Sequence, residues 1–242
     1  MPDLKKTSAH RYIQETKLNR ETLHLKSRPE IKSCAVFKTI PEARAVILPR
    51  SWPKDGDSLL DILQHRRSKR EFPAGPLSLS DLACLLWAMQ GITAQVGTFF
   101  FRTSPSAGAL YPIETYVVAN KVEGVESGIY HFNALEFLLE EIRLHISGKE
   151  VARAALDQGF IAKGAVTFIW TAVFRRNMSK YGNRGGRYIL MDVAHICQNL
   201  LLAAEHLGLA ACPVAAFYDD ELNALLRVDG QEESVLYLAV VG

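Results

Sequence analysis

The sequence predicts an α+β fold, because helical and strand-like segments follow one another in an irregular order. Two strand-like runs within 129–142 form a predicted hairpin, which is typical of an antiparallel sheet. Strict alternation of strands and helices would instead favour a doubly wound parallel sheet. Apolar residues make up 48% of the 242 residues and charged residues 22%, which is the composition of an ordinary globular protein. We therefore expect a central mixed or antiparallel sheet flanked by helices.

Four helices are predicted from their capping residues and apolar spacing. Asp57 or Ser58 caps the first, and Ser78 caps a second that stops at Gly91. A capping box at 147–150 opens a third helix, which runs towards residue 158. The fourth helix, 187–207, is apolar on more than one face, so we expect it in the middle of the fold.

Five strands are predicted from short β-branched or aromatic runs that end at turn residues. The predicted strands are 115–119, 129–132, 136–142, 165–173 and 235–241.

A boundary is predicted at 49–56, where two prolines and a glycine interrupt the chain. It separates a basic N-terminal extension, 1–54, from a domain at 55–242. Residues 1–50 carry 11 Lys and Arg against 5 Asp and Glu. A nucleic-acid contact through this arm is the alternative to a solvated extension, but the arm has few aromatic residues and the whole chain carries only +2. We expect no nucleic-acid partner.

The sequence also predicts a cytoplasmic protein without a metal. Its N-terminus lacks the apolar core of a secretory signal, and no apolar run reaches the roughly 18 residues of a membrane span. The four cysteines, at 34, 84, 197 and 212, are widely spaced and fit no zinc-site pattern. We expect them to be buried thiols.

The segment R-R-S-K-R at 66–70 offers four cations and a hydroxyl within five residues. Guanidinium groups bind phosphate or carboxylate oxygens in pairs, so this segment is a candidate phosphate site. A solvated basic turn is the alternative.

Two segments rich in small residues, 102–112 and 207–217, let a backbone approach a flat ligand closely. The first contains S-P-S-A-G-A-L-Y-P, and the second follows the central helix. Neither contains the glycine pattern of a dinucleotide-binding fold or the lysine-containing loop of a P-loop nucleoside triphosphatase.

A third candidate segment, 175–187, holds five cations and no acid directly before the central helix. Lys180 and Tyr181 stand out within it, because like charges nearby favour the neutral form of a lysine and so make it suited to proton transfer. An exposed basic loop is the alternative. The motifs of serine hydrolases and zinc peptidases are absent from the sequence.

Taken in order, these segments resemble the FMN-dependent nitroreductase superfamily. The closer resemblance is to its SagB-type branch, which includes the azoline dehydrogenases of thiazole- and oxazole-modified peptide pathways. R-R-S-K-R followed by Phe72 is similar to the family's phosphate-binding opening. S-P-S-A-G-A-L-Y-P followed by E-T-Y, and K-Y-G-N-R-G-G-R-Y leading into the central helix, resemble motifs of the branch. The resemblance covers about 55–242.

The resemblance implies an FMN-binding sandwich that forms a homodimer, with FMN at the interface. It also implies roles for individual residues. Lys180 and Tyr181 would be the catalytic pair that removes a proton from the substrate. The residues implied in cofactor binding are Arg66, Arg67, Ser68, Arg70, Pro105, Ser106, Ala107, Gly108, Ala215 and Ala216. Those at 105–108 would reach the cofactor from the partner subunit.

The implied activity is hydride transfer through flavin N5, as in the oxidation of a peptide azoline to an azole. A reductase of nitro or quinone compounds that uses NAD(P)H, and a flavin-binding scaffold without turnover, are the alternatives. The substrate would be a small molecule or a peptide.

Overall fold

The computed structural model describes residues 4–16, 20, 58–97 and 99–242. In these ranges, helices and strands follow one another irregularly, as the sequence predicts. The helices are α1 (Ser8–Thr16), α2 (Leu59–His65), α3 (Leu79–Gln90), α4 (Gly148–Ala154), α5 (Phe174–Tyr181), α6 (Gly185–His206) and α7 (Asp219–Leu226). The strands are β1 (Ile92–Val96), β2 (Phe99–Arg102), β3 (Ile113–Ala119), β4 (Gly128–Asn133), β5 (Leu138–Leu144), β6 (Val166–Val173), β7 (Ala211–Val214) and β8 (Glu233–Val241).

Six strands form one antiparallel sheet in the order β5-β4-β3-β6-β8-β7, while β1 and β2 form a separate hairpin. The central strands β3 and β6 pair over their full lengths, with Val117 opposite Phe168. The predicted hairpin is β4–β5, in which Phe132 pairs with Leu139. The predicted antiparallel sheet is therefore confirmed.

Side chains of the central strands point alternately into two cores, as the pleat of a strand requires. On β3, Val117 belongs to the core beneath α3, α5 and α6, while Val118 belongs to the core beneath α4 and α7. Both side chains are fully buried. The sheet is thus the middle layer of a three-layer sandwich, and its central strands are apolar on both faces.

The helix ends follow from the capping residues in the sequence. Ser58 and Asp61 form a capping box on α2, and Ser147 and Glu150 form one on α4. Such reciprocal bonds satisfy backbone N–H groups that a helix leaves unpaired. Helix α4 ends at Ala154 rather than near residue 158, because Leu156 and Asp157 adopt left-handed backbone angles.

Several features of the structure differ from those that the sequence predicts. The segment 175–186, for which an exposed basic loop is one interpretation of the sequence, forms α5 and a short 3-10 turn before α6. Strands β1, β2 and β7 and helix α7 were not predicted, because each is short and its pattern depends on tertiary partners. Cys84 is exposed, since it lies on the outer face of α3, while Cys197 and Cys212 are buried as expected. Cys34 lies outside the described residues.

The N-terminal extension contains α1, whose His10 and Ile13 are buried. Gln14 Nε2 donates a hydrogen bond to the carbonyl of Gly230 at 3.1 Å, which ties α1 to the loop before β8. Residues 21–57, which include the predicted boundary, lie outside the described residues. The division at 54/55 therefore stays a prediction.

Among the described residues, no helix is both long enough and apolar enough to cross a membrane. The cytoplasmic location stays a prediction.

Candidate active site

The basic segment 66–70 is fixed against the end of the sheet. Ser68 forms an isolated parallel bridge with Ala211 of β7, and the Lys69 N–H donates to the Ala211 carbonyl at 2.9 Å. Lys69 Nζ lies 3.1 Å from a carboxylate oxygen of Glu205 in the last turn of α6. These contacts hold the segment at the junction of β7 and α6.

The five side chains of this segment divide into structural and available groups. The Arg67 guanidinium donates to the carbonyls of Gln64 and Arg66, so it satisfies backbone groups at the end of α2. Arg66 and Arg70 form no ion pair with a carboxylate in the part of the chain that the structure describes. The Arg70 guanidinium carbon lies 5.6 Å from the ring centre of Phe160. Two guanidinium groups are therefore available to an anion.

Ala215 and Ala216 follow β7 and are exposed beside this basic segment. The carbonyl of Ala216 accepts a hydrogen bond from Gln158 Nε2 at 3.1 Å, which fixes the direction of the peptide. Arg70 lies near Cys212, a residue of β7, and its charge favours the thiolate. Burial is the larger effect, and it raises the pKa of Cys212. Burial thus favours the neutral thiol of Cys212. We call residues 66–70, 215 and 216 the basic group.

The small-residue loop 105–111 is fastened to the first half of α6. Ser106 Oγ donates to a carboxylate oxygen of Asp192 at 2.6 Å and accepts from the Tyr111 N–H at 2.9 Å. The Ala107 backbone also bonds the Asp192 carboxylate. Burial raises the pKa of Asp192, and the bonds from Ser106 and Ala107 partly offset that effect. Pro105 is exposed at the start of the loop.

Gly108 brings this loop against the predicted catalytic pair. Its backbone has a φ of +67°, and a β-carbon there would lie 2.6 Å from Tyr181 Oη and 2.9 Å from Lys180 Nζ. A larger residue at this position would be strained by the backbone angle and would displace the ends of these two side chains. Lys180 and Tyr181 occupy the last turn of α5, and the Tyr181 ring packs edge-on against Tyr188 with ring centres 5.0 Å apart. We call residues 105–108, 180 and 181 the catalytic group.

The structure therefore separates the predicted residues into two groups along α6. Asp192 anchors the catalytic group and Glu205 anchors the basic group. The 13 positions between them correspond to about 20 Å along a helix. Within one chain, each group presents only part of the predicted site.

Several charged residues around the catalytic group form ion pairs that the sequence does not predict. Arg176 donates to the Tyr111 carbonyl at 3.2 Å and forms an ion pair with Glu114. Arg175 pairs with Glu232. The acids that compensate this basic segment thus come from β3 and from the loop before β8, which are distant in sequence. Asp192 could have been identified from the sequence, because it is a carboxylate on an otherwise apolar face of α6.

The contacts of Asn199 differ from those that its position in the sequence predicts. His195 and Asn199 are one helical turn apart on the central helix, a spacing that predicts a hydrogen-bonded pair in the core. Instead His195 is exposed, and Asn199 Nδ2 donates to the Ala88 carbonyl and to Ser104 Oγ, each at 3.0 Å. This contact ties the start of the small-residue loop to both α3 and α6.

Glu114 is the centre of a charged network on β3 and β4. His131 Nε2 lies 2.9 Å from Glu114 and its Nδ1 lies 2.7 Å from Glu140. Burial alone would raise the pKa of Glu114, but the bond from His131 and the charge of Arg176 outweigh it and lower that pKa. The bond to Glu114 is also the main reason that the pKa of His131 is raised, against the opposing effect of burial.

Comparison with known proteins places the chain in a family. The profile of the nitroreductase family matches residues 63–242. MJ1384 from Methanocaldococcus jannaschii, a candidate nitroreductase, is 42% identical over 184 residues, covering 76% of this chain and 90% of that protein. The trifolitoxin-processing protein TfxB of Rhizobium leguminosarum is 31% identical over 150 residues, covering 60% of this chain and 40% of that protein.

The fold agrees with this assignment. A chain of the Escherichia coli microcin synthetase McbBCD complex matches with a TM-score of 0.66 at 20% identity, covering 97% of this chain and 92% of that one. The protein is an oxidoreductase with a nitroreductase-like fold, and it belongs to the nitroreductase family, a family of flavin-dependent enzymes. The resemblance inferred from the sequence motifs is thus confirmed.

The His131 network predicts pH-dependent stability. Because the folded protein raises the pKa of His131, its stabilising charge is fully present below the unfolded value of about 6.5 and is lost as pH rises through the higher folded value. His131→Gln should therefore lower stability by about 1–2 kcal/mol at pH 6 and by less at pH 9. Thermal unfolding at both pH values measures this difference.

The matched control is His145→Gln, because His145 is highly exposed and lies 3.7 Å from Glu126. That substitution should change the melting temperature little at either pH. An equal loss of stability at pH 6 and pH 9 in His131→Gln would show that the network does not depend on the histidine charge.

Proposed function

We propose that this protein is an FMN-dependent oxidoreductase of the SagB type that oxidises peptide azolines to azoles. The observation that carries the proposal is the meeting of Lys180 and Tyr181 at Gly108. An amine and a phenol, both able to transfer protons, converge there on a loop without bulky side chains. The likeness to a trifolitoxin-processing protein supports a peptide substrate.

The residues present fit FMN. Arg66 and Arg70 supply guanidinium groups that no described carboxylate neutralises, and Ser68 supplies an exposed hydroxyl beside them. A compact basic segment of this kind suits one terminal phosphate. The sequence contains no dinucleotide fingerprint, which favours FMN over FAD.

Arg66, Ser68 and Arg70 would hold the phosphate and the ribityl chain, while Arg67 keeps the end of α2 in place. The exposed peptide at 215–216 would face the redox edge of the ring. Residues 105–108 would enter from the partner subunit, bringing Lys180 and Tyr181 with them. When bound, FMN supplies a hydride acceptor at N5.

Oxidation of an azoline removes a hydride and a proton, so the product is two hydrogens lighter than the substrate. Lys180 Nζ and Tyr181 Oη would receive and move the proton that leaves the substrate carbon. The small side chains of Ala107 and Gly108 would leave room for a flat ring beside these two atoms.

A second candidate is an NAD(P)H-dependent reductase of nitro or quinone compounds. It is favoured by the 42% identity to the candidate nitroreductase MJ1384. In such an enzyme NADH or NADPH would reduce the flavin, whereas in the dehydrogenase the azoline would do so. Anaerobic mixing of the purified protein with each compound, followed by the flavin absorbance, distinguishes the two activities.

Substitutions in the two groups should have different effects. Lys180→Ala and Tyr181→Phe should keep FMN and the fold but slow substrate-dependent flavin reduction by roughly 10²-fold, the scale of a lost acid–base group. Arg70→Ala should lose FMN, because it removes a charge-assisted phosphate contact. The measurements are heat release of the chromophore with mass spectrometry, and anaerobic stopped-flow absorbance with a thiazoline peptide.

Lys121→Ala is the matched control, because Lys121 is an exposed lysine that belongs to neither group. It should change neither FMN content nor rate. Recovery of FAD or of no flavin from the wild-type protein would refute the cofactor assignment. Full turnover by the Lys180→Ala, Tyr181→Phe double variant would refute the proton-transfer role.

A homodimer would join the basic group of one chain to the catalytic group of another. The apolar side chains of Leu59, Leu60 and Leu63 on α2, and of Leu190 and Met191 on α6, are exposed. Exposed apolar patches of this kind mark interfaces. We expect the protein to sediment as a dimer, and Leu63→Asp to yield a monomer that has lost FMN.

The control for this test is Leu138→Asp, on the edge strand β5, where an equally exposed leucine is replaced. It should remain a dimer with FMN. A wild-type monomer that retains one FMN per chain would contradict the shared site.

The contact at Gly108 can be tested against a second glycine. Gly108→Ala and Gly124→Ala both place a β-carbon at positive φ, but only the first meets other atoms within 4 Å. Each should cost about 1–2 kcal/mol from backbone strain. Only Gly108→Ala should also slow flavin reduction, because the new methyl group displaces Lys180 and Tyr181.

Equal unfolding curves for the two variants together with unequal rates of flavin reduction are the expected result. If both variants reduce flavin at the wild-type rate, the close approach of Gly108 to the pair has no catalytic importance.

A further inference from the structure

A cleft of about 390 Å³ opens beside the catalytic group. It lies between the β1–β2 hairpin, the end of the small-residue loop, and the paired strands β3 and β4. Ala109 and Tyr111, which line it, follow Gly108 in the chain. Arg176 also lines it and lies one helical turn before Lys180, on the same face of α5. The cleft is therefore lined by chain neighbours of the catalytic group, on the loop and on α5.

The charged side chains that line the cleft are mostly cationic. Arg102, Arg176 and His131 line it, with Glu114 as the one acid among its lining residues. Arg176 and His131 both bond Glu114. With a protonated histidine the lining carries a net charge of +2, and Glu140, which pairs with His131 from outside the lining, reduces this to +1. One positive charge is thus left for an anion.

Among the cations that line the cleft, Arg102 does not bond Glu114. It forms no ion pair within the described ranges, and one of its terminal nitrogens donates to the amide oxygen of Gln90 at 2.5 Å. Its Nε is buried without a hydrogen-bond partner. The guanidinium carbon lies 4.5 Å from the ring centre of Tyr111. Burial lowers the pKa of Arg102, which measures the cost of holding this charge away from water.

The other walls are aromatic. Phe99 and Phe100 of β2 line one side, and the buried Phe132 of β4 lines the other. A flat apolar group would be covered by these rings while its charged end reached the guanidinium. A fork of N–H donors beside an aromatic wall matches an aryl or alkyl carboxylate.

We propose that this cleft binds the carboxylate of an apolar or aromatic substrate, and that Arg102 determines the specificity for that charge. The proposal rests on the proposed oxidoreductase function, since it assigns a substrate class to the same site. A phosphate dianion fits less well, because Glu114 lies in the same cleft and would repel the second negative charge.

The probes are 4-nitrobenzoate and 4-nitrobenzamide, which share a ring and a nitro group and differ in charge. The FMN-loaded protein is reduced anaerobically with dithionite and mixed with each compound, and flavin reoxidation is followed by absorbance. Each nitro group takes two electrons and two protons from the reduced cofactor, becomes a nitroso group, and releases water. Wild-type protein should react at least about tenfold faster with the carboxylate.

Arg102→Met should bring the ratio of the two rate constants to about one, and Arg102→Lys should restore part of it. Arg143→Met is the matched control, because Arg143 is an exposed arginine on β5. It should keep the wild-type ratio. Binding without turnover is measured by fluorine NMR titration with 4-fluorobenzoate and 4-fluorobenzamide. The wild type should bind the carboxylate about tenfold more tightly than the amide, whereas Arg102→Met should bind the two equally.

A ratio near one in the wild type, or an unchanged ratio in Arg102→Met, would overturn the cleft assignment while leaving the oxidoreductase function intact. A protein without flavin would instead refute the proposed function. If the reduced flavin reacts with neither nitro compound, the fluorine NMR titration alone decides the cleft assignment. If Arg102→Met does not fold, the wild-type ratio and the fluorine NMR titration still decide the question.

Discussion

The buried carboxylate of Asp192 is the contact on which the catalytic group depends. A carboxylate taken out of water needs donors, and Ser106 and the Ala107 backbone provide them. Ser106 in turn accepts from the Tyr111 N–H, so one side chain fixes both ends of the small-residue loop. The loop can then place Gly108 against Lys180 and Tyr181.

The remaining supports of this region are electrostatic. Glu114 lies on the most central part of the sheet, and it holds Arg176 on α5 and His131 on β4. Arg176 also bonds the Tyr111 carbonyl, so the same helix that carries Lys180 and Tyr181 is fastened to the loop it faces. The side chain of Arg176 thus joins α5 both to the loop and to the sheet. Arg102 lies next to this network and forms no ion pair with it, which is why we assign it to a ligand.

Helix α6 sets the distance between the two halves of the proposed site. Its apolar faces are buried against the sheet, and its polar residues at opposite ends hold the two groups. A single helix keeps these groups apart, and the site that we propose to be shared between two chains follows from where Asp192 and Glu205 lie along it. The proposed dimer and the proposed cofactor site therefore depend on the same element.

The fold class, the capping residues of α2, α3 and α4, the central helix and the family resemblance can all be predicted from the sequence. These depend on local patterns, such as the Ser147–Glu150 box, or on the spacing of apolar residues along one element. Tertiary contacts were needed to show that 175–181 is helical, that Cys84 is exposed, and that Asn199 bonds Ala88 and Ser104 instead of His195. They also decided which acids neutralise the basic segment, because Glu114 and Glu232 lie far from it in the chain. Partners that are brought together by the sheet leave no trace in sequence spacing.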